Sequence, residues 1–308
     1  MKKVCVFPGQ GSQKVGMGKD FYDAFNSAKQ IFERADDFLH TNLTNIIFND
    51  PDSLQKTIYA QPALMTVSYA MFNVMAIEFD ISIKDFEFAL GHSLGEYTAI
   101  AVNNSFSFED TLFILKHRSE AMEKAVPNGK GGMCAVLGLT AQKIREIDLG
   151  DVAIANDNSA QQVIISGLIE DLDAVTPRLL EKGAKKVVKL SVSGPFHSPY
   201  MVAVSECIKD ALSDIEKRNP IIPIISNVTA KPENDINHIS LLLEKQVITG
   251  VRWRESVESL HDLGVDTVIE IGSGTVLSGL CKRIDRNLNV FNIETPSDIE
   301  TLKKQGVL

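Results

Sequence analysis

Gly91-His92-Ser93-Leu94-Gly95-Glu96 is the stretch from which the fold is read. Upstream, Phe86-Glu87-Phe88-Ala89-Leu90 alternates apolar and other residues, the pattern of a strand entering a core. Downstream, Tyr97-Thr98-Ala99-Ile100-Ala101-Val102 reads as the first turns of a helix. A serine flanked by glycines two positions away on each side, on a strand-to-helix turn, is a nucleophile elbow. The turn leaves no room for side chains at Gly91 and Gly95 and presents the Ser93 hydroxyl. The helix behind it aims its free N–H groups and positive dipole end at the place where an oxyanion would form. The spacing G-x-S-x-G also arises by chance in loops; the flanking strand and helix set this one apart.

Working outward, Lys3–Phe7 reads as a strand followed by Pro8-Gly9-Gln10-Gly11-Ser12-Gln13. The loop invites a dinucleotide-binding reading, but the third glycine of G-x-G-x-x-G would fall at Lys14, so that fingerprint fails. Two glycines after a strand instead let main-chain N–H groups approach an anion. Helices are expected over Asp20–Leu39 and, with Pro62 at the first helical position, over Ala63–Phe79. Ser107 and Asp110 offer a capping box for a helix carrying His117 and Arg118. Between the breaks at Pro127-Asn128-Gly129 and Ser193-Gly194-Pro195 the order becomes βαββαβ, that of a ferredoxin-like unit. Strands and helices alternate again after Phe196 (the last strands over 221–226, 265–271 and 289–293). The expected architecture is therefore α/β: a discontinuous large domain, residues 1–127 and 196–308, with a mostly parallel sheet and the elbow, and an inserted ferredoxin-like subdomain over 128–195.

The chain has 308 residues, 44% hydrophobic and 23% charged, so a large core is affordable in one large domain or two smaller ones. A net charge of −9 argues against nucleic acid or an anionic membrane as a partner. Local basic patches remain at Lys185-Lys186 with Lys189 and at Lys282-Arg283 with Arg286. Cys5, Cys134, Cys207 and Cys281 are far apart and without a C-x-x-C pair, so neither a zinc knuckle nor a disulfide framework is expected. The basic-then-apolar N-terminus is ended by Pro8-Gly9, short of a signal peptide. The apolar run Ala63–Phe79 carries Thr66, Ser68, Asn73 and Glu78 and reads as too short and too polar for a bilayer. A cytoplasmic protein is expected.

Ser93 needs a base, and there are six histidines. His92 is its neighbour on a tight turn, where adjacent side chains point apart. His40, His238 and His261 have polar surroundings, and His117 reads either way. His197 follows Gly194-Pro195-Phe196, where the insertion rejoins the large domain, and a residue there faces the cleft between the two.

These residues, with Phe7-Pro8-Gly9-Gln10-Gly11-Ser12-Gln13, Gln61-Pro62-Ala63-Leu64, Gly91-His92-Ser93-Leu94-Gly95-Glu96-Tyr97, Arg118, Asn158, Pro195-Phe196-His197-Ser198, Ser226-Asn227-Val228-Thr229-Ala230, Gln246 and Glu270-Ile271-Gly272, occur in an order that closely resembles the malonyl-CoA:acyl-carrier-protein transacylases and the acyltransferase domains of polyketide synthases. The resemblance covers nearly the whole chain. It implies that Ser93 takes up a malonyl group as an ester and that His197 activates it. It implies an oxyanion hole from the N–H groups of Gln10 and Leu94, and Arg118 paired with the malonyl carboxylate, which its planar fork suits. It also implies a main-chain carbonyl near Gln246, rather than an acid, as the orienter of the histidine. His92, Gln61, Asn158 and Phe196 match pocket positions. The implied substrates are malonyl-CoA and acyl carrier protein, with no cofactor or metal beyond the CoA thioester, and the expected state is a monomer. The chain departs from the family pattern at Ser273 and Thr275, where Pro and Lys are common, and at Gly250, where Pro is common.

Two other readings stay open on sequence. A serine hydrolase of the α/β-hydrolase kind needs an acid between Ser93 and His197, and Asp157 is available there. A non-catalytic acyl-binding module would keep the fold, although such modules should lose Ser, His or Arg first.

Overall fold

The computed structural model describes all 308 residues. Ten strands are numbered in chain order: β1 (Lys3–Phe7), β2 (Phe88–Gly91), β3 (Gly131–Leu137), β4 (Ala153–Ser159), β5 (Gln162–Leu168), β6 (Lys186–Lys189), β7 (Ile224–Ile225), β8 (Pro232–Glu233), β9 (Thr267–Ile271) and β10 (Asn289–Ile293). Six of them form one sheet in the order β10-β9-β1-β2-β7-β8, parallel except for β8 at its edge. Successive side chains of a strand point to opposite faces, and in this sheet both faces are covered. Cys5, Phe7, Ala89 and Ile269 belong to the main core, while Val4, Val6, Leu90 and Val268 belong to a second core on the other side. Helices on both faces of a parallel sheet explain why these strands read as nearly continuous apolar runs.

The other four strands make an antiparallel sheet in the order β4-β5-β3-β6. With the helices Ala141–Arg145 and Ile169–Glu181 this is the expected ferredoxin-like unit. Those helices cover one face, around Val136, Val163, Ile165 and Leu172. From the other face Met133, Ala135 and Ile164 join the main core. Its edge strand β4 is tied to the large sheet's side of the molecule: Val251 donates to the Ala155 carbonyl at 2.8 Å and Asp157 donates to the Val251 carbonyl at 2.9 Å. Gly250 sits at this seam, where an added Cβ would come within 2.5 Å of the Ile154 carbonyl oxygen. A proline does not fit here, which accounts for that departure.

Several boundaries differ from the sequence reading. Phe25, with extended backbone, splits the expected Asp20–Leu39 helix into Lys19–Ala24 and Asn26–Leu39. The next long helix begins at Thr57, so Pro62 lies inside it rather than at its start; the ring leaves the Ile58 carbonyl without its intrahelical donor. That helix, Thr57–Phe79, has 23 residues and is long and apolar enough to cross a membrane, against the sequence expectation. It is apolar all round because neighbouring helices enclose it, and 67% of its apolar window is buried. The expected strand over 221–226 shrinks to β7, since Pro220 and Pro223 remove ladder donors. Short helices Leu43–Asn49 and Pro51–Leu54, capped by Asn42 and Asp50, had no clear periodicity to announce them.

Candidate active site

The elbow forms where β2 ends and the helix Leu94–Val102 begins. A Cβ on Gly91 would lie 1.9 Å from the Gly95 carbonyl carbon, and one on Gly95 would lie 2.1 Å from the Phe7 carbonyl oxygen. No side chain fits at either place. Ser93 between them has φ 53° and ψ −108°, a conformation that costs a non-glycine residue about 1–3 kcal/mol. Asn227, in the turn after β7, braces it: its Oδ1 accepts from the Ser93 N–H at 2.7 Å and its Nδ2 donates to the Gly91 carbonyl at 2.6 Å.

Ser93 Oγ lies 2.8 Å from His197 Nε2, and His197 Nδ1 lies 2.7 Å from the Gln246 main-chain carbonyl. A carbonyl only accepts, so Nδ1 carries the hydrogen and Nε2 is the lone-pair nitrogen facing the serine hydroxyl. Burial, and then the nearby Arg118 charge, lower the His197 pKa to about 3. The imidazole is therefore neutral at physiological pH. Ser93–His197–carbonyl is the full relay; the acid of the hydrolase reading is absent from it. Asp157 is turned away and paired in fork geometry with Arg254, at 2.8–3.2 Å.

Arg118 is 1% exposed, not laid along the surface of its helix Phe108–Lys124. It donates to Gln61 Oε1 at 2.6 Å, to Ser93 Oγ at 3.0 Å and to Gln246 Oε1 at 3.2 Å, and its guanidinium carbon sits 5.4 Å from the Tyr97 ring centre. No carboxylate pairs with it directly. The planar fork is thus buried, aimed at the serine, and held by neutral amides. Gln61 is itself oriented by Gln10 and by the Met122 sulfur.

The Leu94 and Gln10 N–H groups have no acceptor within the protein, and both residues line the cleft beside Ser93. Leu94 opens a helix, so its N–H belongs to the set that a helix start leaves free. Two convergent donors next to a serine suit a developing oxyanion. His92 does point away from the serine, as expected. Its Nε2 donates to Asn158 Oδ1 at 2.9 Å, and burial lowers its pKa. Phe196 is buried and also lines the cleft.

That cleft, about 480 Å³, lies between the two sheets, with Gln10, Ser93 and Arg118 on one wall and Met133, Gln162 and Ile164 on the other. All ten residues singled out from the sequence as site candidates are in or directly against it. His117 is not: its Nδ1 bonds the Phe113 carbonyl on its own helix, and it lines a separate cavity with Phe113 and Cys207. His40, His238 and His261 are exposed.

Two participants were not singled out as site residues, Asn227 and Glu96. Glu96 is buried under the elbow, where it accepts from Gln246 Nε2 at 2.6 Å and from the Asn227 N–H at 3.3 Å. Burial raises its pKa to about 7 against those hydrogen bonds. Both residues stand inside quoted motifs, but nothing local reveals what they touch.

Residues 4–293 match the family model described as the acyl transferase domain. The chain belongs to that family and is an acyltransferase. It is 39% identical, over 99% of both sequences, to a protein named malonyl CoA-acyl carrier protein transacylase from Bacillus subtilis. It is 37% identical to one of the same name from Staphylococcus aureus, with 97% of both covered. Among solved structures, an acyl-carrier-protein S-malonyltransferase from Bartonella henselae superposes with a TM-score of 0.96 at 42% identity, over the whole of both chains. A malonyl-transacylase solved in complex with a type II PKS acyl-carrier protein gives 0.94 at 33% identity, covering 99% of this chain and 100% of that one.

Proposed function

We propose that this acyltransferase moves a malonyl group from malonyl-CoA to the phosphopantetheine thiol of an acyl carrier protein, through an ester on Ser93, in support of fatty acid synthesis. The observation that carries the reading is the buried Arg118 guanidinium 3.0 Å from Ser93 Oγ, beside a serine already bonded to His197. Sequence relatives and structural neighbours named for malonyl transfer support the same substrate pair.

In the first half-reaction Ser93 Oγ attacks the thioester carbonyl while its proton passes to His197 Nε2. The oxyanion is received by the N–H groups of Gln10 and Leu94. Collapse breaks the carbon–sulfur bond, and His197 returns the proton to the departing CoA sulfur. The second half-reaction reverses these steps with the carrier thiol: its proton goes to His197, its sulfur attacks the Ser93 ester, and Ser93 leaves with the proton. The swap of one thioester for another is nearly isoenergetic, so no cofactor is required to drive it.

Arg118 takes the malonyl carboxylate, and the hydrogen-bond inventory explains how. Both N–H groups of one terminal nitrogen are engaged, one of them by Ser93 Oγ. Acylation turns that oxygen into an ester oxygen, a poorer acceptor, and releases the donor for the carboxylate. The carboxylate also neutralises the charge that depresses His197. A dicarboxylic acyl group therefore strengthens the base that processes it. Gln61 and Gln246 orient the guanidinium, and His92 with Asn158 and Phe196 shape the cleft around the acyl chain.

Intact-protein mass spectrometry tests the reading. Malonyl-CoA should add one malonyl mass, mapped to Ser93, and holo carrier protein should remove it; Ser93→Ala should take up none. Label on another residue, or ester that only water removes, would overturn it.

A further inference from the structure

We infer that Glu96 is a positioning residue for acyl transfer, because its one carboxylate oxygen holds both of the residues that fix Ser93, Asn227 and Gln246. The inference deepens the proposed malonyl transfer and rests on it.

The connections can be traced atom by atom. Glu96 Oε2 accepts from Gln246 Nε2 at 2.6 Å and from the Asn227 N–H at 3.3 Å. Asn227 in turn clamps the turn through the Ser93 N–H and the Gly91 carbonyl. Gln246 Nε2 also donates to the Ser93 carbonyl at 3.0 Å, its Oε1 accepts from Arg118, and its main-chain carbonyl accepts from His197. Ser93, His197 and Arg118 thus each lie one residue away from the Glu96 carboxylate, which bonds none of them itself; only the Glu96 main-chain N–H reaches Ser93, donating to its carbonyl at 3.1 Å.

The carboxylate does a specific job at the Gln246 amide. That amide has a donor end and an acceptor end, and its two rotated forms are nearly isosteric. In the observed form the NH₂ meets two acceptors, Glu96 Oε2 and the Ser93 carbonyl, while the oxygen meets the Arg118 donor. Rotated by half a turn, the oxygen would face those acceptors and the NH₂ would face a guanidinium that can only donate. Glu96 removes that alternative and so keeps an acceptor on Arg118. The guanidinium is then held with its fork toward the serine rather than drifting into the cleft.

The surroundings of Glu96 are otherwise neutral. Asn227, Ser226 and Gln246 supply hydrogen bonds, and Arg118 is the charged group that faces it, across the Gln246 amide. Tyr97, its neighbour in sequence, feels the Glu96 charge, and His197 and His92 complete the titratable groups of the site. A carboxylate kept in such a place is not explained by stability, since burial of a charge opposes folding. Its geometry explains it.

The experiment compares Glu96→Gln and Glu96→Ala with wild type, after wild type has been verified to carry malonyl on Ser93. That control isolates failure of the parent reading from failure of this one. The readouts are kcat and KM for malonyl-CoA and for acetyl-CoA, together with the thermal midpoint. Glu96→Gln keeps an oxygen for Gln246 and Asn227 and should retain malonyl transfer within about threefold. Glu96→Ala should lower kcat for malonyl transfer roughly ten- to hundredfold, the scale of a small misplacement of reacting groups. KM should change little, and the malonyl-to-acetyl preference should fall by about tenfold, because Arg118 loses its orienting amide. Equal losses for both thioesters, tracking a lower thermal midpoint, would reduce Glu96 to a fold-supporting residue and overturn the inference. So would a Gln variant as impaired as the Ala variant, since charge rather than amide orientation would then be the cause.

Discussion

Removing the Arg118 guanidinium separates the two tasks assigned to it. In Arg118→Ala, Gln61 Oε1, Gln246 Oε1 and Ser93 Oγ each lose a donor, at 2.6, 3.2 and 3.0 Å. For malonyl-CoA the substrate carboxylate enters a buried site with no partner. A lost hydrogen bond to a charged group is worth about 1.5–3 kcal/mol, which at about 1.4 kcal/mol per decade is roughly a 10- to 150-fold loss in kcat/KM. Acetyl-CoA has no carboxylate to strand. For it the substitution frees Ser93 Oγ and removes the positive charge that helps hold His197 down, so its transfer should stay within about threefold or rise. Stopped assays of CoA release with both thioesters, on protein whose thermal midpoint has been measured, give the ratio. A comparable fall for both thioesters would refute the carboxylate role and leave Arg118 as a strut for the elbow.

Gly95→Ala must push a methyl group into the Phe7 carbonyl; a backbone clash belongs at or above the top of the roughly 1–3 kcal/mol range for overpacking, so chemical denaturation should show that loss and Ser93 should not acylate. Asp157→Asn should keep kcat within about twofold while losing about 1–3 kcal/mol of stability, because the carboxylate pairs with Arg254 and not with His197; a hundredfold fall in kcat would revive the hydrolase reading. Phe196 lines the cleft, and it should favour malonyl- over methylmalonyl-CoA by an amount corresponding to about 1–3 kcal/mol; equal rates would remove it as the selector. Stability should carry two opposing pH dependences. His197 is lowered from 6.5 to about 3, so its contribution is complete above pH 6.5 and is lost, at up to about 1.4 kcal/mol per unit, as pH falls toward 3. Glu96 is raised from 4.5 to about 7, so its contribution is complete below pH 4.5 and is lost as pH rises through 7. Denaturant titrations from pH 3 to 8 should therefore show His197→Gln with a flatter acid limb and Glu96→Gln gaining on wild type between pH 4.5 and 7; unchanged slopes would contradict both shifts.

The sequence made the elbow legible because its requirement is local. Two glycines, a serine, a strand before and a helix after are all within a few residues, and the steric reason for each glycine is met by atoms of the same turn or of β1. The βαββαβ insertion was legible for the same reason, period and order being local properties. What the sequence reading missed is long-range or depends on a partner. Asn227 braces Ser93 from 134 positions away and Gln246 bonds Glu96 across 150, and no periodicity connects such residues. Arg118 could be given a role only through the family resemblance, because nothing in the periodicity of its helix announces the Gln61 and Gln246 amides that hold it. Asp157 illustrates the converse: it stands in the right order for a triad acid, but Arg254, supplied by a distant helix, claims it. Pro62 was misplaced because a proline is the commonest sign of a helix start, and an enclosing core overrode that preference.

The carbonyl partner of His197 makes chemical sense when the two possible acceptors of the acyl group are compared. A carboxylate at Gln246 O would raise the imidazole pKa, as opposite charges do, and would make a stronger base. A stronger base helps water most, because water with a pKa near 15.7 is the acceptor most in need of deprotonation. A thiol, with a pKa of about 8.5, needs far less. Burial and the Arg118 charge hold His197 low, and the neutral Gln246 carbonyl raises it less than a carboxylate would; this favours the thiol over water, which is the discrimination a transferase needs if its ester is to survive until the carrier arrives. In the proposed malonyl-enzyme the carboxylate would offset only the Arg118 share of that restraint, and burial, the larger cause, would still hold the imidazole low while the ester waits. The guanidinium that contributes to this restraint is itself positioned by the uncharged amides of Gln61 and Gln246 rather than by a competing carboxylate.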